Sequence, residues 1–257
     1  MLDEINVFGL ELKTFGLFFA LNFVAWGLMA ARRFRELGES PDLAYEMVFA
    51  ALGGGVIGAK VYWAIDNGEF NSSGLFSGSG LTWYGGLLGG AITVIAWAKW
   101  RGVFTKQLLD IAGIGLPLGY AVGRIGCQVS GDGDYGEPSD LPWAMGYPDG
   151  VVPTDPGVEV HPTPLYEALT MGLLAWALWR LRDAVRPGGL FALYLVFGGL
   201  ERFLVEFVRR NEEVALGLTS AQLISLAMMA GGIVWLAGLQ RSGGVMLARS
   251  APRSATA

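Results

Sequence analysis

The stretch QLLDIAGIGLPLGYAVGRIG, residues 107–126, decides the fold together with the turn CQVSGDGDYG that follows it at 127–136. A run of roughly 20 mostly apolar residues suits a helix crossing a hydrocarbon core of about 30 Å. This run ends on a lone arginine, Arg124, and gives way at once to a turn of glycines and aspartates. Working outward, comparable runs are read at about 14–31, 43–65, 81–99, 164–182, 189–208 and 219–239. Of the 257 residues, 53% are hydrophobic and only 16% charged, against about 25% charged in an ordinary soluble domain; the mean hydropathy is +0.44. The chain reads as an all-α integral membrane protein of about seven transmembrane helices. They form one polytopic domain over 1–240, followed by a short cytoplasmic tail, 241–257, expected to be disordered.

The first thirteen residues, MLDEINVFGLELK, lack the basic start, apolar centre and small-residue cleavage site of a removable signal peptide, so the first span is expected to stay in the protein. Cys127 is the single cysteine, which excludes an internal disulfide. The net charge of −5 averages two unlike faces, and no nucleic-acid partner is expected.

Basic residues on short loops favour the cytoplasmic side. Arg32, Arg33 and Arg35 follow the first span; Lys99, Arg101 and Lys106 the third; Arg180, Arg182 and Arg186 the fifth; Arg241, Arg249 and Arg253 the seventh. The alternate loops, 66–80 and 127–163, carry no lysine or arginine. The N-terminus is therefore expected outside and the C-terminus in the cytoplasm.

Six of the eighteen basic residues remain: Lys13, Lys60, Arg124, Arg202, Arg209 and Arg210. All fall at the outer half of the expected membrane. A charge inside a span usually faces a polar cavity and has a partner. For Arg209 and Arg210 interfacial snorkelling is an equal alternative, and Glu206 stands at helical spacing from Arg202, Arg209 and Arg210. Lys60, Arg124 and Arg202 have apolar sequence on their inward side, and they point to an anionic ligand at the outer leaflet. A lipid phosphate, which arginine grips with paired donors, is the nearest abundant candidate.

Glycine-rich runs lie inside the spans, GGGVIGAK at 53–60, YGGLLGG at 84–90 and FGG at 197–199 among them. They favour close helix approach; with Pro117, glycine also permits broken helix ends that offer N–H groups to an anion. The segment from 127 to 163 is too long for a plain connector and is expected to cap the pocket mouth between spans four and five. Asp132 and Asp134 read there as turn formers. Pro162 and Pro164 suit the entry of span five, with Tyr166 and Glu167 in its first turn, where the helix dipole alone favours a glutamate.

The chain resembles the bacterial prolipoprotein diacylglyceryl transferases. The resemblance is carried by GRIG with YG after it, by HPTPLYEAL, by GLFALYLVFGGLERFLVEFVRR, by YGGLLGG and by Phe15-Gly16, in the family's order over nearly the whole chain. It implies a multi-pass enzyme of the bacterial inner membrane that moves the diacylglyceryl group of phosphatidylglycerol to the lipobox cysteine of a prolipoprotein signal peptide, releasing glycerol-1-phosphate, with no cofactor or metal. By motif position it implies lipid-binding roles for Arg124, Arg202, Lys60, Gly136, Arg209 and Glu206; Asp132, His161 and Tyr166 also match family positions. This sequence departs from the family at Tyr84, where a histidine is usual, at Cys127, where asparagine is usual, at Phe15 in place of tyrosine, and in a GDGDYG turn one residue longer.

Alkylating a thiol needs a thiolate and an activated phosphate leaving group. Arg124 and Arg202 would clamp the phosphate. The catalytic candidates are Tyr84, His161 and Arg202, with Asp132 or Glu206 as further candidates for the base. Tyr84 also fits an interfacial aromatic belt beside Trp83, and His161 a brace for the HPTP turn. Cys127 reads first as a small buried residue and second as the carrier of a covalent lipid. The alternatives to the transferase are a relative that hands the same lipid to another acceptor, and a non-enzymatic lipid-binding or lipid-moving membrane protein.

Overall fold

A computed structural model describes residues 1–2, 4–7, 10–68 and 82–247. Most of the loop 66–80, the side chain of Tyr84 and most of the tail 241–257 lie outside the described residues. Seven α-helices fall on the seven expected stretches: α1 (Thr14–Glu36), α2 (Asp42–Asn67), α3 (Trp83–Trp100), α4 (Lys106–Ser130), α5 (Thr163–Leu181), α6 (Gly189–Val205) and α7 (Ser220–Arg241). Among the described residues, α1, α4, α7 and residues 42–65 of α2 are long and apolar enough to cross a membrane. The protein is an all-α membrane protein with two small additions. Residues 4–13 form an antiparallel pair, β1 (Glu4–Val7) and β2 (Leu10–Lys13), with Glu4 opposite Lys13; β3 (Glu213–Ala215) pairs with β4 (Leu218–Thr219) ahead of α7. The sequence reading assigned no strand there, because four-residue strands carry too little periodic signal.

The helices group into two compact units, residues 23–108 and residues 1–22 with 109–257. In the first, α2 and α3 pack through facing glycines. A Cβ on Gly58 would lie 2.7 Å from the Gly89 Cα and would also strike the Gly85 carbonyl. Thr93 donates to the Ala50 carbonyl at 2.8 Å and Thr82 to the Ala59 carbonyl at 3.1 Å, so the backbones themselves form the contact. The glycine runs at 53–60 and 84–90 thus serve close approach, as membrane helices with small residues do. Gly58→Val is expected to destabilise the protein by about 1–3 kcal/mol, read as a lower thermal midpoint in detergent.

In the second unit α4 runs unbroken through Pro117. This corrects the expectation of broken helix ends: the proline removes one N–H, and the rest of the helix continues. Asp110 of α4 accepts the N–H groups of Gly188 at 2.7 Å and Phe191 at 3.0 Å, capping the start of α6 from a neighbouring helix. Such N–H groups have no partner within their own helix. Helix α6 packs on α5 and on α7, and a capping box of Thr219 and Gln222 starts α7.

Between α4 and α5 the chain builds a small core of its own. Tyr135 and Tyr147 stack at 4.9 Å over Val160. The Tyr135 hydroxyl donates to the Val152 carbonyl at 3.0 Å and the Tyr147 hydroxyl to the Gln128 side-chain oxygen at 3.0 Å. Burial pushes the Tyr147 hydroxyl up to about 12, so it stays neutral near pH 7 and braces the segment. This core holds the GDGDYG turn against α4 and the entry of α5.

Candidate functional site

Three arginines from distant stretches converge on one glutamate. Glu167, in the first turns of α5, is fully buried. Its Oε2 pairs with Arg124 Nε at 2.9 Å and accepts from Arg209 Nη1 at 3.2 Å; its Oε1 accepts from Arg202 Nη1 at 3.0 Å and the Tyr120 hydroxyl at 2.8 Å. Helix α4 contributes Tyr120 and Arg124 one turn apart, and the Arg124 guanidinium also lies over the Tyr120 ring at 4.9 Å. Helix α6 contributes Arg202, and the turn after it Arg209. A buried carboxylate is tolerated when its lone pairs are filled by charged donors, and here two per oxygen are filled.

Two more carboxylates complete the cluster. Asp134, in the GDGDYG turn, bonds Arg124 through Oδ2 and Arg209 through Oδ1. Glu206 holds Arg202 Nη2 at 2.6 Å through Oε2, while its Oε1 accepts from Asn211 at 2.7 Å and Thr219 at 2.8 Å. Three guanidiniums therefore face three carboxylates. With all six ionised the cluster is neutral, and that balance makes its burial affordable.

Several sequence expectations change here. Asp134 is more than a turn former, since its side chain bridges two arginines. Arg209 does not snorkel: its side chain is only 9% exposed and bonds Glu167 and Asp134. Arg210, the other snorkelling candidate, lies over the Tyr135 ring at 5.2 Å. Glu206 pairs with Arg202, one of the partners its spacing allowed. Glu167, read only as a dipole-favoured residue, is the centre of the cluster. The signal for it was a charge in the first turn of an apolar span beside unpartnered outer arginines.

The remaining candidates make other contacts. Gly136 donates its N–H to the His161 carbonyl at 2.8 Å, and a Cβ there would strike the Val208 carbonyl and approach Thr163 Cγ2 to 2.9 Å. Its lack of a side chain lets the turn cross the residues that carry Arg209. The His161 ring meets the Tyr166 hydroxyl at 3.3 Å, and Trp143 Nε1 donates to that hydroxyl at 2.7 Å. Lys60 and Tyr84 belong to the other compact unit: Lys60 on α2 with its ammonium 5.8 Å from the Trp63 ring centroid, Tyr84 in the first turn of α3. Cys127 is buried, with its sulfur 3.7 Å from Arg124 Nη1 and 3.6 Å from Asp134 Oδ2. Cys127, Asp132 and Asp134 bring donor atoms within 4.8 Å of one another, but Arg124 already places positive charge on two of them, which disfavours a cation.

Burial raises the Asp134 carboxyl, and the facing Arg124 and Arg209 outweigh it, holding the group below the ordinary carboxylate range. A folded pKa below the unfolded one stabilises fully above the unfolded value of about 3.9, and that stabilisation is lost as the pH falls through the folded value. The thermal midpoint in detergent is therefore expected to fall on acidification below about pH 4, with a shallower slope in Asp134→Asn.

Fold and site together define a helical membrane protein built around a charge-balanced arginine centre. The family model described as prolipoprotein diacylglyceryl transferase matches residues 4–237, and the chain belongs to that family of transferases. It is 32% identical over 233 residues to the phosphatidylglycerol–prolipoprotein diacylglyceryl transferase of Dehalococcoides mccartyi, covering 88% of each chain. It is 31% identical over 238 residues to the protein of that name from Clostridium tetani, covering 89% of this chain and 93% of the relative. Against the one from Methylococcus capsulatus the identity is 32% over 249 residues, covering 89% and 91%.

Proposed function

We propose that this protein transfers the diacylglyceryl group of phosphatidylglycerol to the lipobox cysteine of prolipoproteins and releases glycerol-1-phosphate. The observation that carries the reading is the meeting of Arg124, Arg202 and Arg209 on Glu167, within a chain of the transferase family. In this reading residues 1–240 form one multi-pass domain of the bacterial inner membrane. Seven spans cross it, the N-terminus lies outside, the C-terminal tail lies in the cytoplasm, and 127–163 caps the outer side.

The acceptor thiolate attacks the glycerol carbon bonded to the phosphate oxygen. A carbon–sulfur bond forms, the carbon–oxygen bond breaks, and its electron pair stays on the departing phosphate. Arg124 and Arg202 supply fixed positive charge where that negative charge grows, with Arg209 beside them. Lys60 and Gly136 keep their lipid-site assignment from motif position. The thiol proton needs an acceptor. Glu206 pairs with Arg202 through Oε2 and accepts from Asn211 and Thr219 through Oε1, so a proton taken there would weaken the hold on Arg202. Tyr84, His161 and Asp132 are the other candidates, separable by Tyr84→Phe, His161→Gln and Asp132→Asn.

The test is complementation in cells depleted of their own transferase. Thioether lipidation of a reporter prolipoprotein is expected with the wild-type chain. Absence of lipidation despite good expression would sink the reading and favour another acceptor for the same lipid.

A further inference from the structure

We infer that the Asp134 carboxylate, which bridges Arg124 and Arg209, holds the place of the lipid phosphate, and that phosphatidylglycerol binds by exchanging with it. The inference rests on the reading of the arginine cluster as the phosphate site. It starts from charge. Three arginines and three carboxylates already cancel, so a phosphodiester, which carries one negative charge, would bring an uncompensated charge into a buried neutral cluster. Exchange of one monoanion for another leaves the balance intact.

Only one of the three carboxylates is placed to leave. Glu167 is fully buried, accepts three hydrogen bonds and pairs with Arg124 Nε at 2.9 Å. Glu206 is 3% exposed and is tied to Asn211 and Thr219 as well as Arg202. The Asp134 side chain is 35% exposed, and its two oxygens take one guanidinium each, Arg124 and Arg209. Two anionic oxygens bridging two guanidiniums is also how a phosphodiester would sit there. The Asp134 backbone is held by the Thr163 hydroxyl, which donates to its carbonyl at 2.6 Å. The side chain can therefore rotate into solvent while the turn stays in place. Until lipid arrives, the carboxylate keeps Arg124 and Arg209 aimed at the point where phosphate will lie. When the product forms, its phosphomonoester carries nearly two charges, and return of Asp134 favours its departure.

The experiment measures binding of phosphatidylglycerol to the full chain in phosphatidylcholine nanodiscs, for the wild type, Asp134→Asn, Asp134→Ser and Asp149→Asn. Competition by soluble glycerol-1-phosphate forms the second arm. Both Asp134 variants are expected to bind phosphatidylglycerol about tenfold more tightly, since a competing charge-assisted contact has been removed. Damage to the fold cannot produce such a gain. Asp149→Asn removes the same charge from an exposed position of the same segment, 127–163, without freeing an arginine and is expected to bind as the wild type does.

Equal or weaker binding by both Asp134 variants would overturn the inference, because Asp134 would then only support the arginines. Equal tightening in Asp149→Asn would overturn it as well, leaving a general charge effect. Tightening toward glycerol-1-phosphate alone would overturn the assignment to lipid. Transfer to the reporter prolipoprotein, measured on the same samples, keeps the two readings separate. Tightening without transfer sinks the transferase reading and leaves the exchange standing; transfer without tightening does the reverse.

Discussion

Replacement of Glu167 by glutamine is expected to cost about 3–5 kcal/mol of stability, the usual penalty for removing one member of a buried charge set, and to abolish lipid transfer. Glutamine keeps the shape but offers one acceptor oxygen and one donor nitrogen. Either Arg202 and Tyr120 on one side, or Arg124 and Arg209 on the other, would then face N–H groups instead of a carboxylate oxygen. The cluster would also carry one uncompensated positive charge around a fully buried side chain. Thermal unfolding of the purified protein in detergent measures the first effect and lipidation of a reporter prolipoprotein the second. Glu167→Asp keeps the charge and shortens the reach by one methylene, so it is expected to lose less stability than glutamine. The opposite order would mean that shape, and not charge, holds the three arginines.

Arg124→Lys is expected to lower kcat/KM about 10²–10³-fold, the range found when one preorganised charge-stabilising donor is removed, with a smaller loss of stability. Lysine preserves the charge and loses the fork. The guanidinium of Arg124 serves four partners in fixed directions: Glu167 through Nε, Asp134 and Cys127 through Nη1, and Tyr120 through Nη2. A single ammonium cannot reach all of them from one point. Initial rates with varied phosphatidylglycerol separate this variant from a misfolded one. Activity within threefold of wild type would show that charge alone suffices at this position and would remove Arg124 from the clamp.

Much of the site was legible because a membrane makes charge conspicuous. After the loops had accounted for twelve basic residues, Lys60, Arg124 and Arg202 stood out among the remaining six; Arg124 and Arg202 meet at the cluster, joined by Arg209, for which snorkelling was an equal alternative. Their partners were less visible. Glu167 had a sufficient local explanation in the helix dipole, and Asp134 had one in its glycine-flanked turn, so neither demanded a distant partner. His161, the only histidine, invited a catalytic role by its type alone, and only the folded chain places its ring 3.3 Å from the Tyr166 hydroxyl.

The sequence by itself determined that the chain is helical and membrane-bound, where the seven described helices lie and which cations needed a reason to exist, because hydrophobic period and charge burial act locally along the chain. Only the tertiary structure decided which carboxylates answer those cations. Arg209 and Asp134 are 75 residues apart and Arg209 and Glu167 are 42 apart, and an ion pair depends on distance in space, which spacing along the chain does not encode. The same holds for the lone arginine of GRIG. Its excess over topology was plain from the sequence, but its place on a fully buried glutamate, beside an aspartate that solvent can reach, came from the packing of α4 against the start of α5 and the turn between them.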